Sequence, residues 1–161
     1  MATVGACALF AAISGSSVAT VATLGKVAWP EMQRYKYSER LSTGAIAAGG
    51  SMGILIPPST VLIIYGVITE QSIGKLFMAG FVPGMMEAAF YMIVIFLLTL
   101  KNPLLGPPGP RTPFKGKIKA LGKCWEVIII FLLVIGGIYS GKFTPTEAAG
   151  IGAFAALVFT A

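Results

Sequence analysis

Gly49-Gly50-Ser51-Met52-Gly53-Ile54-Leu55-Ile56-Pro57-Pro58-Ser59 lies in the middle of an apolar segment that runs from about Thr43 to Thr69. The segment is long enough to cross a bilayer, which takes roughly 20 apolar residues in a helix. Its centre cannot be an unbroken helix. Pro57 and Pro58 have no N–H, so they leave the carbonyls four residues back, at Gly53 and Ile54, without a helical donor. Each also pushes the residue before it out of the α region. A freed carbonyl is costly in hydrocarbon, so such a break is expected only where protein buries it or a polar cavity solvates it. Two half-helices meeting at an ion or substrate site fit this pattern better than a proline kink used for packing alone.

Composition supports a membrane setting. Of 161 residues, 56% are hydrophobic and only 11% charged, against about 25% charged in soluble domains. Twenty glycines and ten prolines predict interrupted helices and tight turns. The net charge of +6 resides in two inter-segment loops and does not imply nucleic acid. There is no histidine, which excludes histidine metal sites, proton relays and Ser-His triads from this chain. Cys7 and Cys124 are far apart and form no CxxC, so neither a disulfide framework nor a metal site is expected. No catalytic set is present, and the chain is not expected to be an enzyme. An intramembrane protease is disfavoured by the missing general base.

Residues 2–25 carry no charge and are rich in Ala, Gly, Ser and Thr, with Ser14-Gly15-Ser16-Ser17 at their middle. They fit either one span packed through small residues or a hairpin of two short helices. A charged connector follows, with Trp29, Pro30, Tyr35 and Tyr37 among its charges. Past the broken span come a short link, Glu70 to Gly80, and a span from about Phe81 to Leu100. Glu87 is expected one turn inside that span, at headgroup level. The next polar loop has a Pro-rich core, Pro103 to Pro113, and no acid. A span from Trp125 to about Tyr139 ends at glycines. Thr144-Pro145-Thr146-Glu147 then opens another helix with a cap, a proline at the first helical position and a capping-box glutamate.

Charge sets an orientation. Residues 26–42 and 101–123 carry 4 and 6 Lys/Arg, whereas 70–80 and 140–147 carry one each. The two basic loops are therefore expected on the cytoplasmic side, with two spans between them. Both ends of the chain fall inside apolar segments, so a fragment of a longer permease is expected.

The break has two chemical faces. The first half-helix presents its last carbonyls, and with Ser51 and Ser59 these suit Na+, a hard cation. The second begins near Pro58-Ser59 with free N–H groups and a partial positive charge, suited to a carboxylate. The bland alternative is a membrane scaffold or assembly subunit whose Gly and Ser only pack helices.

Several motifs in register resemble one family. Phe10 through Thr20 resembles the first hairpin-tip motif of the large membrane subunit of TRAP transporters, the tripartite ATP-independent periplasmic type. Gly53 through Ser59, Tyr65-Gly66, Ser72 through Gly84 and Gly137 through Ala149 follow the same family's pattern in order. One departure is Thr20, where much of the family carries a carboxylate.

The resemblance implies an all-α membrane protein, part of an inverted-repeat, elevator-type importer of organic acids such as C4-dicarboxylates or sialic acid. It needs no cofactor and uses Na+ as coupling ion. It implies a small TRAP membrane subunit, a periplasmic substrate-binding protein and the lipid bilayer as partners, in a multi-pass protein of the bacterial or archaeal cytoplasmic membrane. It favours the hairpin for the first segment. The layout is then 1–28 re-entrant hairpin, 29–42 cytoplasmic connector, 43–69 broken transmembrane helix and 70–100 periplasmic link with a transmembrane helix. Residues 101–124 form a cytoplasmic loop, 125–143 a transmembrane helix and 144–161 the start of the next. The implied Na+ residues are Ser14, Gly15, Ser16, Gly49, Gly50, Ser51, Gly53 and Pro57. The implied substrate residues are Ser16, Ser17, Pro58 and Ser59. The second hairpin and second broken helix are expected beyond Ala161.

Overall fold

The computed structural model describes residues 1–107, 109, 116, 122 and 125–160. The described residues are helical, with no strand among them. They belong to two compact units, Met1–Gly109 and Pro110–Ala161.

In the first unit α1 spans Ala2–Ser14 and α2 spans Ser17–Arg34. Gly15 turns the chain between them with φ +58°, a left-handed conformation open to glycine at little cost. Its N–H donates to the Ala11 carbonyl (2.9 Å), and Ser16 caps α2 by accepting from the Ala19 N–H (3.4 Å). The first segment is thus a helical hairpin with its turn at Ser14-Gly15-Ser16. At 13 residues, α1 is about 20 Å long, short of the ~30 Å hydrocarbon core.

The broken segment is α3, Glu39–Ser51, a 3-10 turn, Met52–Ile54, and α4, Thr60–Ile68. Pro57 and Pro58 lie between the turn and α4, joined by a cis peptide bond. Helix α5 runs from Ile73 to Lys101, straight through Pro83. The apolar span read from the sequence starts at about Phe81, and the helix itself begins eight residues earlier, at Ile73. Proline removes one helical bond, to Ala79, and the apolar run on both sides carries the helix across. The link 70–80 is accordingly mostly helix. Likewise α2 continues through Pro30, and α3 begins at Glu39, so the connector 29–42 consists largely of helix ends.

Among the described residues α5 alone is both long and apolar enough to cross a membrane unbroken. Phe90, Ile93, Val94, Phe96, Leu97 and Leu100 on it are exposed, as lipid contact requires. The core gathers where α1 meets the broken segment: Val4, Cys7, Ala11, Leu24, Met52, Ile56 and Ala88.

The second unit holds α6, Trp125–Tyr139, and α7, Pro145–Thr160. Gly141 (φ +70°) ends α6, with the Lys142 N–H bonded to the Gly137 carbonyl and the Gly141 N–H to that of Ile138, a Schellman closure. The capping box opening α7 is formed. The Thr144 N–H donates to Glu147 Oε2 (2.8 Å) and the Glu147 N–H to Thr144 Oγ1 (3.3 Å). Trp125 stacks edge-on against Phe159, centroids 5.4 Å apart. The Pro-rich stretch of the second basic loop and Cys124 lie largely outside the described residues.

Candidate functional site at the hairpin turn and the helix break

The hairpin turn rests on the break. The Thr60 N–H donates to the Gly15 carbonyl (3.2 Å), tying the turn to the first residue of α4. A Cβ on Gly15 would run into the Pro58 carbonyl, and one on Gly53 would lie 2.8 Å from both Ser16 C and Ser17 N. These glycines are what lets two backbones touch. Further down, a Cβ on Gly49 would lie 2.6 Å from Cys7 Sγ, and one on Gly50 would strike Val21. The glycines before the break thus admit both arms of the hairpin. Gly80 and Gly84 of α5 close the far side, against the Leu55 carbonyl (2.8 Å from a Cβ on Gly80) and Ile56 (2.8 Å from one on Gly84).

The polar groups here are unevenly satisfied. The freed Ile54 carbonyl accepts from Ser59 Oγ (2.6 Å), so Ser59 repairs half of what the prolines removed. Ser59 is fully buried and also caps α4 weakly, accepting from the Leu62 N–H (3.5 Å). Thr20, also fully buried, donates to the Ser16 carbonyl (2.8 Å) and lies 3.1 Å from Ser14 Oγ. The Thr20 hydroxyl thus serves the hairpin itself. Two oxygens are left over. Pro57 denies the Gly53 carbonyl its helical donor, and among the described residues it accepts no hydrogen bond from outside its own helical turn. Ser17 Oγ is buried without a partner. Both belong to the same contact, since Gly53 meets the Ser17 backbone.

Two helix N-termini, of α2 and α4, also come together here. In α4 the Thr60 and Leu62 N–H groups are taken, by Gly15 and Ser59, and that of Val61 is not. In α2 the Ala19 and Thr20 N–H groups are taken, both by Ser16.

Ser51 faces elsewhere. Its Oγ is 2.7 Å from Glu87 Oε1, 2.7 Å from the Ala48 carbonyl and 3.0 Å from Tyr91 Oη; the Tyr91 hydroxyl donates to Glu87 Oε1 (2.8 Å). Glu87 therefore has protein partners rather than standing alone on the helix surface. With α5 beginning at Ile73, it stands at the helix midpoint. Sequence reasoning passed over this cluster. The available signal was Glu87 and Tyr91 at i, i+4 in an otherwise apolar helix, a spacing that puts both on one face. An apolar cavity of about 390 Å³ adjoins the cluster, lined by Val4, Arg40, Ala45, Ala48, Tyr91 and Leu98 among others. It contains none of Ser14 to Ser17 or Pro57 to Ser59 and is separate from the turn-to-break contact.

The whole chain, residues 1–161, matches the family model described as Tripartite ATP-independent periplasmic transporter, DctM component. The chain belongs to this family. It is 43% identical over 148 residues to the C4-dicarboxylate TRAP transporter large permease protein DctM of Pseudomonas aeruginosa, covering 92% of this chain and 34% of that relative. It is 36% identical over 149 residues to the sialic acid TRAP transporter large permease protein SiaM of Vibrio cholerae, covering 92% and 34%. Against the ectoine TRAP transporter large permease protein TeaC of Halomonas elongata it is 37% identical over 147 residues, covering 91% and 34%. The chain thus spans about a third of the length of these curated relatives. They are membrane transport permeases, not enzymes, in line with the absence of a catalytic set.

Proposed function

We propose that this chain supplies one half of the ion and substrate site of a large TRAP permease subunit. The subunit imports organic acids such as C4-dicarboxylates or sialic acid, coupled to Na+. A periplasmic binding protein delivers the substrate, and a small TRAP membrane subunit braces the permease in the bacterial or archaeal cytoplasmic membrane. The hairpin is re-entrant and opens to the cytoplasm. The transport cycle is an elevator movement, with an inverted second repeat completing the site.

The observation that carries this proposal is Ser17 Oγ, buried without a partner at the turn-to-break contact, where it meets Gly53, whose carbonyl Pro57 deprives of its helical donor. Buried oxygens without donors are costly, and Na+ is a ligand that needs oxygen alone. No group of three or more His, Cys, Asp or Glu gathers among the described residues, so backbone and hydroxyl oxygens are what a cation would meet. Ser14, Gly15, Ser16, Gly49, Gly50, Gly53 and Pro57 form the walls of the ion site, with Ser17 between it and the substrate. Ser51 acts on it indirectly, from the end of α3. The substrate carboxylate faces the converging N-termini of α2 and α4, beside Ser16, Ser17, Pro58 and Ser59, where N–H groups and the helix dipoles favour an anion.

The test uses the full-length permease with its small subunit and binding protein in proteoliposomes, with radiolabelled succinate and sialic acid as probes. Uptake of one of them should require an inward Na+ gradient. Ser17→Ala should raise the Na+ concentration for half-maximal uptake roughly tenfold, as expected for loss of one oxygen to a cation. Uptake by the wild type that ignores Na+ and follows a proton gradient overturns the proposal.

A further inference from the structure

Gly80, Gly84, Glu87 and Tyr91 recur along α5 at i, i+4, i+7 and i+11, which places them on one face of the helix. Every one of them touches the broken segment. Gly80 and Gly84 lie against Leu55 and Ile56, just after the 3-10 turn. Glu87 and Tyr91 hold Ser51, the last residue of α3, just before it. An unbroken 29-residue helix thus grips both banks of the interruption with one stripe of residues.

The Glu87 end of the stripe has no role in the site as described so far, yet it is the costly part. A carboxylate in the middle of a membrane helix is rare unless it serves function. The titratable groups on the elements packed against α5 are the amino terminus and Cys7 on or beside α1, Glu39 and Arg40 on α3, and Tyr65 on α4. None makes a hydrogen bond or ion pair with Glu87; its contacts are Ser51 and Tyr91, and its Oε2 is buried without a partner. The last turn of α3 needs an anchor, because the final carbonyls of a helix lack intrahelical donors and the end frays unless something fixes it. Ser51 Oγ reaches the Ala48 carbonyl in that turn (2.7 Å), and Glu87 Oε1 fixes Ser51 (2.7 Å).

We propose that Glu87 is a positioning residue: through Ser51, and with Tyr91, it fixes the end of the first half-helix and so sets where the Gly53 carbonyl stands relative to Ser17. Glu87 does not itself touch the ion. The inference rests on the Na+ site proposed above and adds the element that tunes its affinity.

The experiment measures two things on the purified full-length permease. One is equilibrium binding of radioactive 22Na+ without substrate, and the other is backbone hydrogen exchange over residues 49–56. Glu87→Ala should raise the half-saturating Na+ concentration roughly tenfold at unchanged binding capacity, and should speed exchange across that segment. Glu87→Gln should stay within about twofold of wild type in both, because its carboxamide oxygen still accepts from Ser51 and Tyr91. That rescue separates positioning from charge. If the wild type binds Na+ and Glu87→Ala binds it equally well, the inference is overturned and the Na+ site stands. If the wild type shows no saturable Na+ binding, the Na+ site falls, and unchanged exchange in Glu87→Ala then overturns the anchoring as well. Should the alanine variant not fold, Tyr91→Phe takes its place. It removes one donor to Glu87, roughly threefold weaker Na+ binding is expected, and wild-type values in both measurements overturn the inference.

Discussion

Glycine does the placing at the scale of single residues. Gly15 and Gly53 are the points where hairpin and break touch, one held at positive φ and both without room for a Cβ. Alanine at Gly15 costs about 1–2 kcal/mol for the left-handed backbone alone, before any displacement of Pro58. Gly25 offers a control, since a Cβ there meets nothing within 4 Å and it lies inside α2. Gly25→Ala should stabilise by up to about 1 kcal/mol through helix propensity. Gly15→Ala and Gly53→Ala should lower the melting temperature of the purified permease and abolish uptake. Fluorescence-monitored melting with parallel uptake assays checks all three, and a wild-type Gly53→Ala would show that the close contact is not needed. That this segment breaks was legible in the sequence because proline chemistry is local. That Ser59 repairs the Ile54 carbonyl was not, because the same hydroxyl reads equally well as a ligand.

At the scale of elements, ends are set by local chemistry and middles by their surroundings. The start of α7 was readable to the residue, since cap, proline and glutamate act within one turn. Thr144→Ala should cost about 1 kcal/mol of local helix stability, seen as faster amide exchange at residues 146–149 with the rest of α7 unchanged. Equal exchange in variant and wild type would mean that packing, not the cap, holds this end. Helices α3 and α5 begin four and eight residues before the apolar spans read from the sequence. Charged and link stretches look like boundaries, but helix continues through them, and α5 tolerates one missing bond at Pro83. The correction has a consequence for function, since it moves Glu87 from the edge of α5 to its midpoint.

At the scale of the whole chain, hairpin and break interlock within the first unit. The charge bias predicts residues 26–42 and 101–123 on the cytoplasmic side, so cysteines introduced at Lys36 and Lys117 should be labelled from the cytoplasm, and one at Gln71 from the opposite side, in a cysteine-free full-length permease. Labelling of Lys36 and Gln71 positions from one side would require the chain to cross differently. The turn and the break cover each other, while the α2 and α4 N-termini leave Val61's N–H without a partner.

What the sequence by itself determined is whatever depends on covalent chemistry and short spacing. It specified that the chain belongs in a membrane, that a helix must stop before Pro57-Pro58, that Thr144 starts another, and which loops carry positive charge. Tertiary structure decided which groups meet. It turned residues 2–25 into a hairpin seated on the break, committed Ser59 to Ile54 and Ser51 to Glu87, and left Ser17 and Gly53 with oxygens to spare. Apart from Ser59 with Ile54, five positions apart, those contacts join residues some 36 positions apart, and the free energy that selects them comes from close packing at glycines and from burial of polar groups, which local sequence does not reveal.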